Sequence, residues 1–233
     1  MGQKRFENLL LETLPQPERN DLTSRMEEVV IPAGTVLYEA EQIPRHAWFI
    51  TAGVASKIIS MSDGRSAEVA VSSREGVIPS FQLAGGSQHG LLRCVTQTET
   101  RALRMPYAEM LKEFRRSEPL RQLVLRCVQR RSMILAQMGA CNRLHNTEER
   151  LARWLLTAHD LTGAASVGLS HGFLADILGA RRTTVTLAVG ALRRRRLISC
   201  RRSQIQILDP EKLQGAACEC YGTLRGLFQN FYG

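Results

Sequence analysis

Residues 29–105 alternate short apolar runs with turn-forming residues. VVIPAG, WFITAGVASKIIS, AEVAVSS and LLRCVTQTETRALRM have the length and β-branched content of strands, and Asp63-Gly64 stands between two of them as a two-residue hairpin turn. Strands this short at this spacing predict a small β-barrel or jelly roll. Ahead of them, residues 5–27 read as a short amphipathic helical lead-in. From Pro106 the period becomes helical. Ser117-Glu118-Pro119 is a helix start with proline in the first turn. Leu120, Val124, Cys127, Arg131, Ile134, Met138 and Cys141 then recur at alternating spacings of four and three, the seam of a coiled coil. The seam predicts a dimer axis with contacts at Leu120, Val124, Cys127, Arg131, Ile134 and Met138. The competing reading packs the same stripe on the chain's own barrel. Arg131 breaks the apolar run, either to fix register or to snorkel to solvent.

Asn146 with Glu149 predicts a capped helix whose buried face is Leu151, Trp154, Leu155 and Ala158, ended by the break at 162–166. Next comes HGFLADILGARRTTVTLAVGALRRRRLI. Leu174, Ile177 and Leu178 make one helical face; Val185, Ala188, Val189 and Leu192 make a second. The first helix starts near Ser170 and the second near Arg182. Small Ala175 lets the two helices cross closely, and Gly179 between them permits a left-handed turn. This phasing predicts a helix-turn-helix, the motif whose second helix enters the DNA major groove. Two β-prone runs, 197–200 and 204–208, predict a hairpin wing with Arg201 and Arg202 at its turn. Pro210 opens a last helix through Leu213, Ala217, Cys220, Leu224, Leu227 and Phe231.

Charge sharpens this reading. The net charge is +9, which favours a polyanionic partner. Arg181, Arg182, Arg193, Arg194, Arg195, Arg196, Arg201 and Arg202 fall within one stretch that holds no Asp or Glu. Arg181, Arg182 and Thr183 stand at the helix start, where base edges are read, and arginine pairs bidentately with guanine. Thr184 and Thr186 lie on the same helix. Arg193 and Arg194 stand at its far end, suited to phosphates, as are Arg201 and Arg202. No apolar run approaches a membrane span, and the start has no signal-peptide core, so a cytoplasmic location is expected. The six cysteines are then reduced thiols. Cys218-Glu-Cys220 has no His near it in sequence and is not a zinc spacing by itself, so no metal site is expected; the pair is read as buried or indifferent thiols, with a redox or metal site as the alternative. His46, His89 and His145 are read as structural, with a haem ligand among them as the alternative.

The order of β-roll, long dimer helix and winged helix-turn-helix resembles the Crp/Fnr family of bacterial transcription regulators. PAGTVLYEAEQIPRHAWFITAGVASKI is similar to the family's first strand pair, with Gly34, Leu37, Phe49, Ile50 and Gly53 in place. ARRTTVTLAVGALRRRRLI is similar to its recognition helix, with Arg182, Thr184 and Val185 matching. Arg181 stands where serine is usual, and Thr183 replaces a base-reading glutamate, so the usual half-site is not carried over. EGVIPSFQLAGGSQHGLLRCV lacks the ligand carboxylate and phosphate-pairing arginine of cyclic-nucleotide binders, having Pro79-Ser80 and His89-Gly90 near those places. No cysteine precedes Cys94, which disfavours the family's N-terminal iron–sulfur centre. Family members commonly carry Gly where Arg196 stands.

The expectation is therefore an α+β chain: a β-roll sensor at 1–118, a dimerisation helix at 119–145, a winged helix-turn-helix at 146–209 and a helical extension at 210–233. It would be a homodimeric transcription regulator that reads a palindromic operator in double-stranded DNA, with RNA polymerase a candidate further partner. Neither a cofactor nor a catalytic residue is predicted, cAMP-type and iron–sulfur ligands are disfavoured, and the effector is unnamed. The rival reading is a signal-binding module that acts on a protein partner. No phosphate loop or nucleophile–base pair supports an enzyme.

Overall fold

A computed structural model describes residues 8–85, 90–164, 166–168, 171–201 and 204–230. Ser170, His89, Arg202 and Phe231, each singled out from the sequence, lie outside the described residues. The chain is α+β and divides into two compact units. One is built mainly on 8–59 and 70–133, the other on 60–69 and 134–229.

The first unit opens with helices α1 (Leu9–Thr13) and α2 (Gln16–Ser24). Strands β1 (Glu27–Ile31), β2 (Val36–Tyr38), β3 (His46–Ala52), β4 (Ala55–Ser60) and β5 (Ser66–Ser72) follow, then α3 (Ser80–Gly85), β6 (Arg93–Thr96), β7 (Thr100–Pro106) and α4 (Tyr107–Arg116). Two antiparallel sheets form the β-roll, in the orders β1-β7-β3 and β2-β6-β4-β5. The register places Phe49 opposite Leu103 and Ile31 opposite Thr100. The run HAWFITA does not alternate because both of its faces are covered. Ala47 and Phe49 join a core with Leu10, Met105 and Met110, while Trp48 and Ile50 join another with Ile31, Ile78 and Ala102. Gly53 makes the β3–β4 turn at φ +94°, and a Cβ there would stand 2.6 Å from the Glu99 carbonyl oxygen. Only glycine fits that turn.

Helix α5 (Glu118–Leu144) is the long helix read from the sequence. Its expected dimer stripe lies inside one chain. Leu120 and Val124 are in the core with Leu10 and Phe49, and Cys127, Arg131 and Ile134 are buried too. Met138 is partly buried. A heptad stripe marks a covered face, and here the chain's own side chains cover it. Arg131 does not snorkel to solvent. Its Nη2 lies 3.1 Å from Glu75 Oε1, and its Nη1 donates to Ser72 Oγ at 2.8 Å. The large apolar residues exposed on α5 are Leu125, Met133 and Leu144.

In the second unit, α6 (Thr147–Thr162) begins with the capping box read from the sequence: Asn146 Oδ1 accepts from Glu149 N–H at 3.0 Å, and Glu149 Oε2 accepts from Asn146 N–H at 3.1 Å. The strand β8 (Ser166–Gly168), helices α7 (His171–Leu178) and α8 (Arg182–Arg194), and strands β9 (Ile198–Arg201) and β10 (Gln204–Ile207) follow, the three strands pairing in the order β8-β10-β9. Their core gathers Leu151, Trp154, Leu155, Leu174, Val185, Val189, Leu192, Ile198 and Ile205. The last expected helix is two: α9 (Pro210–Gln214) and α10 (Cys220–Gln229). Gly215 follows α9 and helps end it, since glycine is a poor helix former. The break places Cys218 in the linker. None of the described helices is long and apolar enough to cross a membrane.

Candidate nucleic-acid interface

Helix α7 ends in a left-handed turn. Gly179 has φ +55°, its N–H bonds the Asp176 carbonyl, and the Ala180 N–H reaches back to the Ala175 carbonyl at 3.0 Å. These paired bonds satisfy the last carbonyls of α7 and turn the chain into α8 within three residues. Helix α8 then seats Val185, Ala188, Val189 and Leu192 in the core. Burial of that face fixes what the other face presents.

The presented face carries the residues expected to meet DNA. Arg181, Arg182, Thr183, Thr184, Thr186, Arg193 and Arg194 are all exposed, as is Arg201 on β9. Arg181 makes no side-chain cap to α8. The first-turn N–H groups therefore keep their affinity for an anion. The Arg182 guanidinium lies beside α7: a Cβ at Gly172 would stand 2.8 Å from its Nη2. Thr186 Oγ1 donates to the Arg182 carbonyl at 2.9 Å, which turns that hydroxyl toward its own helix.

Helix α8 ends as α7 does. Arg196 N–H bonds the Arg193 carbonyl, Leu197 N–H bonds the Leu192 carbonyl, and Arg196 has φ +55°. An arginine thus occupies the left-handed position that usually holds glycine. Arg195 is tied to Glu148 at 2.9 Å, which distinguishes it from the exposed Arg193 and Arg194 at the same helix end. Leu187 was not among the residues picked from the sequence. It is 73% exposed on α8, four residues beyond Thr183. Its signal was its absence from the Val185–Val189 core row, and an exposed leucine at that place suits a thymine methyl.

Two other groups of side chains hold chemistry. Inside the first unit, Lys57 is fully buried, and burial reinforced by the charge of Arg131 pushes its pKa down to about 7. In the second unit, Cys141, His145, Cys218 and Cys220 bring their donor atoms within 4.8 Å of one another. In the sequence no histidine lies near the Cys218-Glu-Cys220 pair. His145 arrives from 73 positions earlier through the fold, one helical turn beyond Cys141. Burial pushes the Cys218 thiol up to about 12 and Cys141 upward as well, so as free thiols they are poor nucleophiles.

Residues 149–216 match the Crp-like helix-turn-helix domain. No curated protein matches the chain. Among solved structures, the chain is similar to the c-di-GMP-responsive global regulator CLP of Xanthomonas campestris, with TM-score 0.70 and 13% identity over 84% of this chain and all of that one. It is similar to a putative Crp/Fnr-family transcriptional regulator from Eubacterium rectale, with TM-score 0.70 and 15% identity over 90% of this chain and 98% of that one. A CRP-family transcriptional regulator from Thermus thermophilus gives TM-score 0.69 and 19% identity over 82% of this chain and 99% of that one. Residues 149–216 thus belong to the Crp-like helix-turn-helix domains, and the chain has the fold of the Crp/Fnr regulators it resembles.

Proposed function

We propose that the chain is a sequence-specific DNA-binding transcription regulator that acts in the cytoplasm as a homodimer on a palindromic operator. The observation that carries this reading is the outer face of α8, where Arg181, Arg182, Thr183, Thr184 and Leu187 stand exposed over a fully seated core row. Arg182 and Thr183 read base edges; Arg193, Arg194 and Arg201 grip phosphates, and Arg202 extends that set on sequence grounds. The charge arrangement supports the division: Arg193 and Arg194 lie at the helix end where cations are favoured and bases are out of reach. Dimerisation uses the exposed row Leu125 and Met133 of α5, because the inward stripe is already covered. Two recognition helices then enter major grooves one turn, about 34 Å, apart.

The β-roll acts as the signal input without taking cAMP. The Glu75 carboxylate, buried and held by Arg131, supports that part of the reading. RNA polymerase is the further partner the reading implies, and catalysis has no place in it.

The test is selection from a random duplex pool by the purified protein at physiological salt. Enrichment of a palindrome with half-sites one turn apart is the expected result. Salt-sensitive retention without enrichment, unchanged when cell extract is added, would overturn sequence reading and leave a basic surface that holds DNA indiscriminately.

A further inference from the structure

We propose that Cys141, His145, Cys218 and Cys220 form a mononuclear, four-coordinate zinc site that fastens the C-terminal extension to the end of the long helix. Cys141 and the residue four positions on, His145, lie along one face at the end of α5. Cys218 and Cys220 flank the start of α10. The Cys141 and Cys218 sulfurs are 3.6 Å apart, and Cys220 Sγ is 3.8 Å from His145 Nδ1. Ligands at about 2.3 Å for sulfur and about 2.0 Å for nitrogen around a tetrahedral zinc stand roughly 3.5–3.8 Å apart along each edge. The Cys141–Cys218 and Cys220–His145 pairs already have that spacing, and the remaining pairs lie within 4.8 Å. With all four within 4.8 Å, they enclose room for one ion and not for a multi-iron cluster.

Their neighbours are arranged as zinc ligands require. His145 Nε2 lies 3.0 Å from Glu219 Oε2, which fixes the tautomer that leaves Nδ1 free to bind and orients the ring. Gln137 Nε2 donates to Cys220 Sγ at 3.1 Å, which orients that sulfur. Three thiolates and a neutral imidazole around Zn²⁺ carry a net charge of −1. Arg153 on α6 answers it. It is buried, its Nε has no hydrogen-bond partner among the described residues, and its charge favours the thiolates of Cys141 and Cys218. Arg150, one turn away on α6, lies within reach of the same two sulfurs. The three cysteines are buried and the four protein ligands complete the shell, so the site has no open position for water. It is a structural clamp and not a catalytic centre. Sulfur-rich tetrahedral sets select zinc over calcium, magnesium and manganese. Binding releases the three thiol protons to solvent and oxidises nothing.

The test uses the full-length protein. Metal content after purification without added metal is expected to be about one zinc per chain. Chelator-stripped protein titrated with Co²⁺ is expected to show thiolate-to-cobalt charge transfer and the visible bands of a tetrahedral ion, both displaced by Zn²⁺. Cys218→Ser should abolish them. Because that variant removes a buried side chain, Glu219→Gln serves as the second. Its side chain is exposed, it should fold normally, and it should lower zinc affinity about 10- to 100-fold. Trace metal with no cobalt charge transfer would overturn the site, as would Co²⁺ spectra of an octahedral ion. So would a Cys141–Cys218 disulfide in the purified protein that, once reduced, still takes up no zinc.

Discussion

Arg131→Met removes the cation from a buried pair and leaves Glu75 behind. The two side chains are 2% and 3% exposed, and the ion contact is 3.1 Å. With charge centres about 4 Å apart and an effective dielectric of about 20, the attraction is about 4 kcal/mol. The Ser72 Oγ bond and a longer one to the Val71 carbonyl are lost as well. Two features soften the loss. Glu75 Oε2 keeps the Ser73 N–H at 2.8 Å, and Lys57 still feels the charge of Glu75. The expected cost is therefore about 3 kcal/mol, the lower end of what breaking a buried pair costs. Urea unfolding followed by tryptophan fluorescence measures it. A Trp154→Phe background leaves Trp48, which lies in the β-roll core, as the reporter of the unit that carries the pair. Arg131→Met with Glu75→Met removes both charges and should return to within about 1 kcal/mol of the parent, since apolar replacement of a buried pair is close to neutral. A single variant that costs less than about 1 kcal/mol, or a double variant no better than the single, would refute the reasoning.

Lys57→Met tests a second buried cation. Its folded pKa of about 7 lies below the unfolded value of 10.5, so the unfolded chain binds the extra proton between those limits. The penalty is full below about pH 7 and fades as pH rises toward 10.5. The variant should gain stability most at pH 6 and flatten the rise between pH 7 and 10; parallel stability curves for variant and parent would contradict this. Arg182→Ala should lose about 1–3 kcal/mol on the cognate site and relax specificity there, as read by competition against mismatched duplexes, whereas Arg194→Ala should weaken cognate and random DNA alike. Leu125→Glu with Met133→Glu should turn a dimer into a monomer in sedimentation, while Val124→Ala should lower stability and leave the dimer intact. The reverse pattern would restore the inward stripe as the interface.

What was legible in the sequence was what short segments determine by themselves. The Asn146–Glu149 cap, the Gly179 turn and the Val185–Leu192 row each depend on residues a few positions apart, and each has its expected conformation. The α5 stripe shows where such reading stops. Spacings of four and three say that a face is covered, and a core to which Leu10 of α1 and Phe49 of β3 contribute covers it as well as a second chain's helix would. The single helix expected after Pro210 continued a period across Gly215 that the backbone does not follow. The cysteine–histidine group was invisible because its members come from two segments more than 70 positions apart, and no local pattern records that they meet.

Arg196 adopts φ +55° at the end of α8, where the Leu192 and Arg193 carbonyls are closed by the turn that follows. A side chain in that conformation costs roughly 1 kcal/mol more than glycine. The fold would be firmer with glycine, and the recognition helix would then end with one cation fewer. Under the proposed reading, the demands of a stable turn and of a polyanionic partner oppose each other at this residue: glycine would ease the backbone, and arginine adds a cation beside Arg193 and Arg194.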